Sequence, residues 1–88
     1  IQPNPFHSSA DVAFYVSSGD ASGSVLLRIV DASGRHVRDL VDGKLPAGQN
    51  HVLWNGTDQR GRAVPSGIYF AVLKSQEGEA SGKIVLTR

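Results

Sequence analysis

Trp54-Asn55-Gly56-Thr57-Asp58-Gln59-Arg60-Gly61-Arg62-Ala63-Val64-Pro65-Ser66-Gly67-Ile68-Tyr69-Phe70-Ala71-Val72-Leu73 joins an aromatic strand end, a long polar turn and a strongly apolar strand. Within it, Asp58-Gln59-Arg60-Gly61-Arg62-Ala63-Val64 echoes Asp31-Ala32-Ser33-Gly34-Arg35-His36-Val37, twenty-seven residues earlier. Asp at the first and Gly at the fourth position of a four-residue turn is the type I signature. Both copies read as tight reversals between strands, with Asp31, Gly34, Asp58 and Gly61 as turn residues and Gly67 as a further structural glycine. The residues flanking the two copies do not otherwise match, so the repeat reads as one turn solution used twice.

Outward from this stretch the apolar residues alternate with period two, as half-buried strands require. Val12, Phe14 and Val16 alternate with Ala13, Tyr15 and Ser17; Val25, Leu27 and Ile29 alternate with Leu26, Arg28 and Val30. Val37 to Val41 forms a further short strand, Val52 and Trp54 share one face, and Ile84 and Leu86 oppose Lys83, Val85 and Thr87. Ser18 to Gly23, Asp42-Gly43, Pro46-Ala47-Gly48 and Gln76 to Gly78 read as loops and turns. Ile68 to Lys74 is apolar on both faces, which places it centrally in a sheet. No segment sustains the i, i+3, i+4, i+7 pattern of an amphipathic helix. The expected fold is therefore all-β, an antiparallel β-sandwich of six to seven short strands, with Trp54 and Tyr69 as core aromatics.

Eighty-eight residues make one domain, of a size that buries roughly 60–65% of its unfolded surface and leaves no room for a deep cleft. Residues 1–7, with Pro3 and Pro5 stiffening the backbone, read as a linker, and residues 8–88 as the domain. The start at Ile1 rather than Met suggests a piece of a longer polypeptide or a processed product. Ten Gly and four Pro favour turns over helices. The net charge of +1 gives no basic field for nucleic acid. No apolar run approaches the ~20 residues that span a bilayer, and the absence of cysteine removes disulfides and thiolate chemistry.

Reactive groups are dispersed. His7, His36 and His51 lie on different elements without metal-ligand spacing. Asp58 to Arg62 lacks the further acidic ligands of a calcium loop, since Arg60 and Arg62 stand where they are needed. Ser66-Gly67 and Ser81-Gly82 lack the context of a nucleophile elbow. Asn55-Gly56-Thr57 satisfies a glycosylation pattern but reads as a turn. No catalytic residue, metal ligand or cofactor site is expected. Trp54 shares its face with Val52 and reads as core, whereas Tyr15 reads as an exposed ring. Arg35 and Arg62 each follow a turn glycine and are candidates for polar contact with a partner.

Two resemblances extend this reading. Pro3-Asn4-Pro5-Phe6, Asp31-x-x-Gly34-Arg35-x-Val37, Ser66-Gly67-Ile68-Tyr69-Phe70 and Lys83-Ile84-Val85-Leu86, in that order, resemble the C-terminal sorting domains of the bacterial type IX secretion system. Trp54-Asn55-Gly56-Thr57-Asp58, with Gly61 and Ser66 to Phe70, is similar to the FlgD Ig-like domain of the flagellar hook-capping protein. Both resemblances imply a small Ig-like (fibronectin III-like) sandwich.

They also imply a non-catalytic C-terminal module of a larger secreted bacterial protein, bound by secretion or cell-envelope attachment machinery and located outside the cell or on its surface. The upstream neighbour would be a catalytic or adhesive domain of the same chain. Lys83, Ile84, Val85, Leu86, Thr87 and Arg88 are then the recognition segment, with Arg35 and Arg62 as secondary candidates. A polysaccharide-binding module of a glycoside hydrolase and a structural spacer or assembly domain are the alternatives.

Overall fold

A computed structural model describes residues 10–21, 23–76 and 78–87. The linker reading of residues 1–7, together with Phe6, His7 and Arg88, falls outside the described residues. The elements are β1 (Ala10–Val16), a single helical turn α1 (Ser18–Ala21), β2 (Val25–Asp31), β3 (His36–Gly43), β4 (Gly48–Trp54), β5 (Gly67–Ser75) and β6 (Gly78–Leu86). β1 and β4 form a two-stranded sheet, and the second sheet has the order β3-β2-β5-β6. Every pairing is antiparallel. The fold is an all-β sandwich of six strands among the described residues.

Period-two patterning decides which faces meet. β1 turns Val12, Phe14 and Val16 inward, β2 turns Val25, Leu27 and Ile29, and β6 turns Ile84 and Leu86. Each side chain of that size withdrawn from water contributes about 1.5–3 kcal/mol of hydrophobic free energy before the entropy of ordering is subtracted. Among the described residues no charged or polar side chain is buried, so desolvation of an unpaired charge does not oppose this collapse. Across the layers, Trp54 at the end of β4 meets Tyr69 of β5 edge-to-face, with ring centroids 5.1 Å apart and planes at 65°.

β5 lies between β2 and β6, as its apolar faces require. Its outward Phe70 sits opposite Val30 on one side and Lys83 on the other, where a long lysine stem can cover apolar surface. β3 is irregular. Its pairing with β2 shifts between Leu27 and Arg28 and again between Ile29 and Val30, and these bulges bring Val37, Leu40 and Val41 against the core. Strict alternation along β3 would have turned Leu40 away.

Three expectations change in detail. The Ser18–Gly23 loop contains the helical turn α1, held to the far hairpin by Gln76 Nε2, which donates to Gly19 O over 3.0 Å. β6 begins at Gly78, well before Lys83, because Ser75 and Gly78 are direct partners and close a tight hairpin. Glu79-Ala80-Ser81-Gly82 carries no apolar alternation by which that half of the strand could be recognised. Finally, the Asp58–Gly61 turn does not link two strands but lies inside the β4–β5 loop, where an isolated bridge pairs Thr57 with Ala63.

That loop is fixed to the core by both aromatics. Trp54 Nε1 donates to Thr57 O over 2.9 Å, and the Tyr69 hydroxyl donates to Pro65 O over 2.6 Å. A hydrogen bond of this kind contributes about 1 kcal/mol net. Tyr69→Phe, which keeps the ring, is therefore expected to lower the melting temperature by roughly 4–8 °C. An unchanged melting curve would mean that water serves Pro65 O equally well and that the hydroxyl does not hold the loop.

Candidate functional site

The two Asp-x-x-Gly-Arg segments adopt the same local structure. In the first, Gly34 N donates to Asp31 O and Asp31 N to Arg35 O, both over 2.9 Å. In the second, Gly61 N donates to Asp58 O over 2.9 Å and Asp58 N to Arg62 O over 2.8 Å. Gly34 and Gly61 stand at φ of 90° and 83°, the left-handed conformation that follows a type I turn in short hairpin loops and favours glycine. Asp31 Oδ1 accepts from Ser33 N, Ser33 Oγ and Arg35 N at 2.7–3.0 Å. Asp58 Oδ1 accepts from Arg60 N and Arg62 N at 2.9 Å.

Arg35 and Arg62 fold back on their own turns. Their Nε atoms lie 3.4 and 3.3 Å from Asp31 Oδ2 and Asp58 Oδ2, and both side chains remain largely exposed. A bond so exposed adds little stability. The donors nevertheless hold the carboxylates ionised. The Ser33 hydroxyl and the Arg35 amide pull Asp31 down to about 2, and the Arg62 amide leads the lowering of Asp58. On the outer face of the larger sheet, Asp39 is also lowered, first by Arg28 Nε at 2.8 Å and then by His36. Asp31, Arg35, His36, Asp58, Pro65 and Tyr69 line a hollow of about 390 Å³ between the two turns. Its carboxylates are already engaged by their own turn amides and arginines.

The second turn also covers an edge. Gln59 N donates to Val37 O over 3.0 Å, and Asp39 N donates to Gln59 Oε1 over 2.8 Å. Gln59 thereby offers β3 one donor and one acceptor, as a neighbouring strand would, and blunts an edge otherwise able to pair with another chain. No sequence signal distinguished Gln59 from a solvated loop residue.

β6 differs. Among the described residues it pairs with β5 alone, and none of them covers its other edge. Ile84 and Leu86 are buried, Val85 is half-buried, and Lys83 and Thr87 are exposed. Gly67 heads β5 opposite Leu86. Beside that edge, a shallow groove separates β6 from β1. It consists of two hollows of about 250 and 270 Å³ that share Tyr15, Leu73 and Ala80. Tyr15 is 64% exposed, and Gln49 is its partner across β4. Farther along the same outer face, His51 Nδ1 lies 3.5 Å from Asp11 Oδ2. Among the described residues no group of three His, Cys, Asp or Glu is placed to hold a metal ion.

The FlgD Ig-like domain family matches residues 2–79 of this sandwich, with its tandem turn chemistry and aromatic-anchored β4–β5 loop. The chain belongs to that family. No curated protein and no solved structure gives a significant match. Within this FlgD Ig-like domain both Asp-Arg turns, the covered β3 edge and the two core aromatics lie inside the matched residues, whereas Lys83 to Arg88 lies beyond them. The family is one of Ig-like domains, typically non-catalytic.

Two outcomes follow for the turns of the FlgD Ig-like domain. Gln59→Ala should accelerate hydrogen exchange at the Asp39 amide severalfold while the β2–β5 amides stay protected; unchanged exchange at Asp39 would show that Gln59 does not guard the edge. The lowered carboxylates predict a pH dependence. A carboxylate whose folded pKa is depressed stabilises the fold above its unfolded value, about 3.9, and that contribution fades as the pH falls toward the folded value. For Asp31, pulled to about 2, the fading falls between pH ~4 and ~2. Urea midpoints should drop through this window, and the drop should shrink in Asp31→Asn; a parallel profile for that variant would contradict the assignment.

Proposed function

We propose that this FlgD Ig-like domain is the non-catalytic C-terminal module of a larger secreted bacterial protein, sorted by the type IX route and held at the cell surface. The carrying observation is the edge of β6 that no described residue covers. Its anchor residues Ile84 and Leu86 are sunk in the core, while Lys83 and Thr87 stand exposed on the opposite face. A strand fixed from beneath and free at its edge suits recognition by strand addition, where main-chain bonds supply affinity and outward side chains supply choice. Lys83 would steer the approach of an acidic surface. The partner on this reading is the export or envelope-attachment machinery, and the upstream neighbour is a catalytic or adhesive domain of the same chain.

A second reading, a spacer or assembly domain as in the hook cap, is favoured by the family itself. Polysaccharide binding draws less support. Trp54 is 0% exposed and lies against Tyr69, which leaves Tyr15 as the ring available to stack on a sugar, and a single ring makes no platform.

The test is a reporter fused ahead of this domain in a type IX-competent bacterium. Deleting Lys83 to Arg88 would remove Ile84 and Leu86 from the core and unfold the domain, so the informative variant is Lys83→Glu with Val85→Thr. Export or surface display of the intact fusion, reduced severalfold in the variant while its melting curve is kept, is the expected result. Retention of a folded intact fusion inside the cell would overturn the sorting reading. Equal export of both fusions would remove β6 from it.

A further inference from the structure

We infer that the edge of β6 away from β5 is a self-recognition surface that pairs antiparallel with β6 of a second copy of this chain, in a register centred on Ser81. The inference goes beyond the sorting reading and does not rest on it. Along β6 the even positions belong to the core-facing side, as Ile84 and Leu86 show by their burial, and the odd positions Glu79, Ser81, Lys83 and Val85 belong to the outer face. Registers that set odd against even positions would place the solvated face of one copy against the core-facing side of the other, and are excluded by the pleat.

Charge selects among the remaining registers. A two-fold axis at Ser81 sets Glu79 of each copy directly opposite Lys83 of the other, twice, whereas axes at residue 79 or 83 set like charges face to face. Axes at residue 80 or 82 set Glu79 or Lys83 opposite the uncharged Ser81 and form no Glu79–Lys83 pair. Directly opposite charges on neighbouring strands attract and like charges repel. Glu79 already lies opposite Lys74 of its own chain, and Lys83 lies opposite Phe70, so each would gain an oppositely charged neighbour on its free side. Neither Glu79 nor Lys83 forms a salt bridge among the described residues.

Side-chain size fits the same register. In the first half of the strand the positions on the core-facing side are the small residues Gly78, Ala80 and Gly82. When two sheets join at this edge, these small residues of one copy come beside the groove of the other, where Tyr15 and Leu73 flank Ala80. The groove would then be roofed by the neighbour's backbone, and the two four-stranded sheets would run on as one. β3, at the other side of each sheet, is closed to such growth by Gln59, so pairing ends at two copies.

The test uses the 88-residue chain in a concentration series by analytical ultracentrifugation, from micromolar to about 1 mM, with Glu79→Lys, Lys83→Glu and the double swap. Both positions are exposed, and circular dichroism checks that each variant is folded. The expected results are reversible dimers of the unaltered chain and self-association weakened by about tenfold or more in either single variant. Association should return in the double swap and in an equimolar mixture of the two single variants, where lysines of one copy face glutamates of the other. A chain that stays monomeric throughout the series overturns the inference. So does a dimer indifferent to the single swaps, which would locate self-association elsewhere on the molecule.

Discussion

The edge-to-face contact of Trp54 with Tyr69 is the point on which the rest of this molecule turns. It joins the two sheets through their largest buried rings, at 5.1 Å between centroids, and each ring then uses its one polar atom on the backbone of the same loop. Thr57 O is held at the beginning of that loop and Pro65 O near its end. A connection of this length would otherwise have little to order it. Held at both ends, it presents the Asp58–Gly61 turn to β3, and Gln59 completes the hydrogen bonding of that strand. Core packing thus reaches the protein's periphery through two hydrogen bonds, and a defect in the core aromatics would be felt first as an uncovered edge.

The two outer strands of the larger sheet manage their edges in opposite ways. β3 is bulged twice and covered by a loop residue that imitates a strand. β6 runs in unbroken register with β5 from Gly78 to Leu86 and carries charges of both signs on its outer face. Bulges and cover suppress pairing, whereas a straight strand with alternating charge permits pairing but restricts it to chosen partners and registers. Whether the partner is envelope machinery or a second copy, one side of the sheet is built to be left alone and the other is able to be recognised.

Much of this architecture was legible in the sequence because its signals are local. Val12, Phe14, Val16 and Val25, Leu27, Ile29 follow the pleat, and the doubly apolar Ile68 to Lys74 marks a strand with neighbours on both sides. Asp31 and Gly34 announce a turn by chemistry that works within a few residues. What escaped depends on partners far away in the chain. The small, polar first half of β6 is a strand because the hairpin at Ser75 and Gly78 extends pairing into it, and nothing in Glu79 to Gly82 says so alone. Gln59 acquires its role from a strand twenty residues earlier. Arg35 and Arg62, read as arms toward a partner, bend back to carboxylates four residues away, a choice that depends on the turn geometry being in place.

The two Asp-Arg turns explain why an apparent repeat need not record a duplication. Every bond that shapes them closes within five residues: glycine amide to aspartate carbonyl, aspartate amide to arginine carbonyl, and carboxylate to the amides and guanidinium that follow. Such a unit needs no tertiary support and can be inserted wherever the chain must reverse. It serves once as the β2–β3 hairpin and once as the tip of a loop closed by a single bridge. A duplicated segment would bring its flanking strands along, and here the surroundings share neither sequence nor pairing. The common feature is the turn itself, chosen twice because an ionised carboxylate beside three or four donors is a compact way to hold a backbone reversal in water.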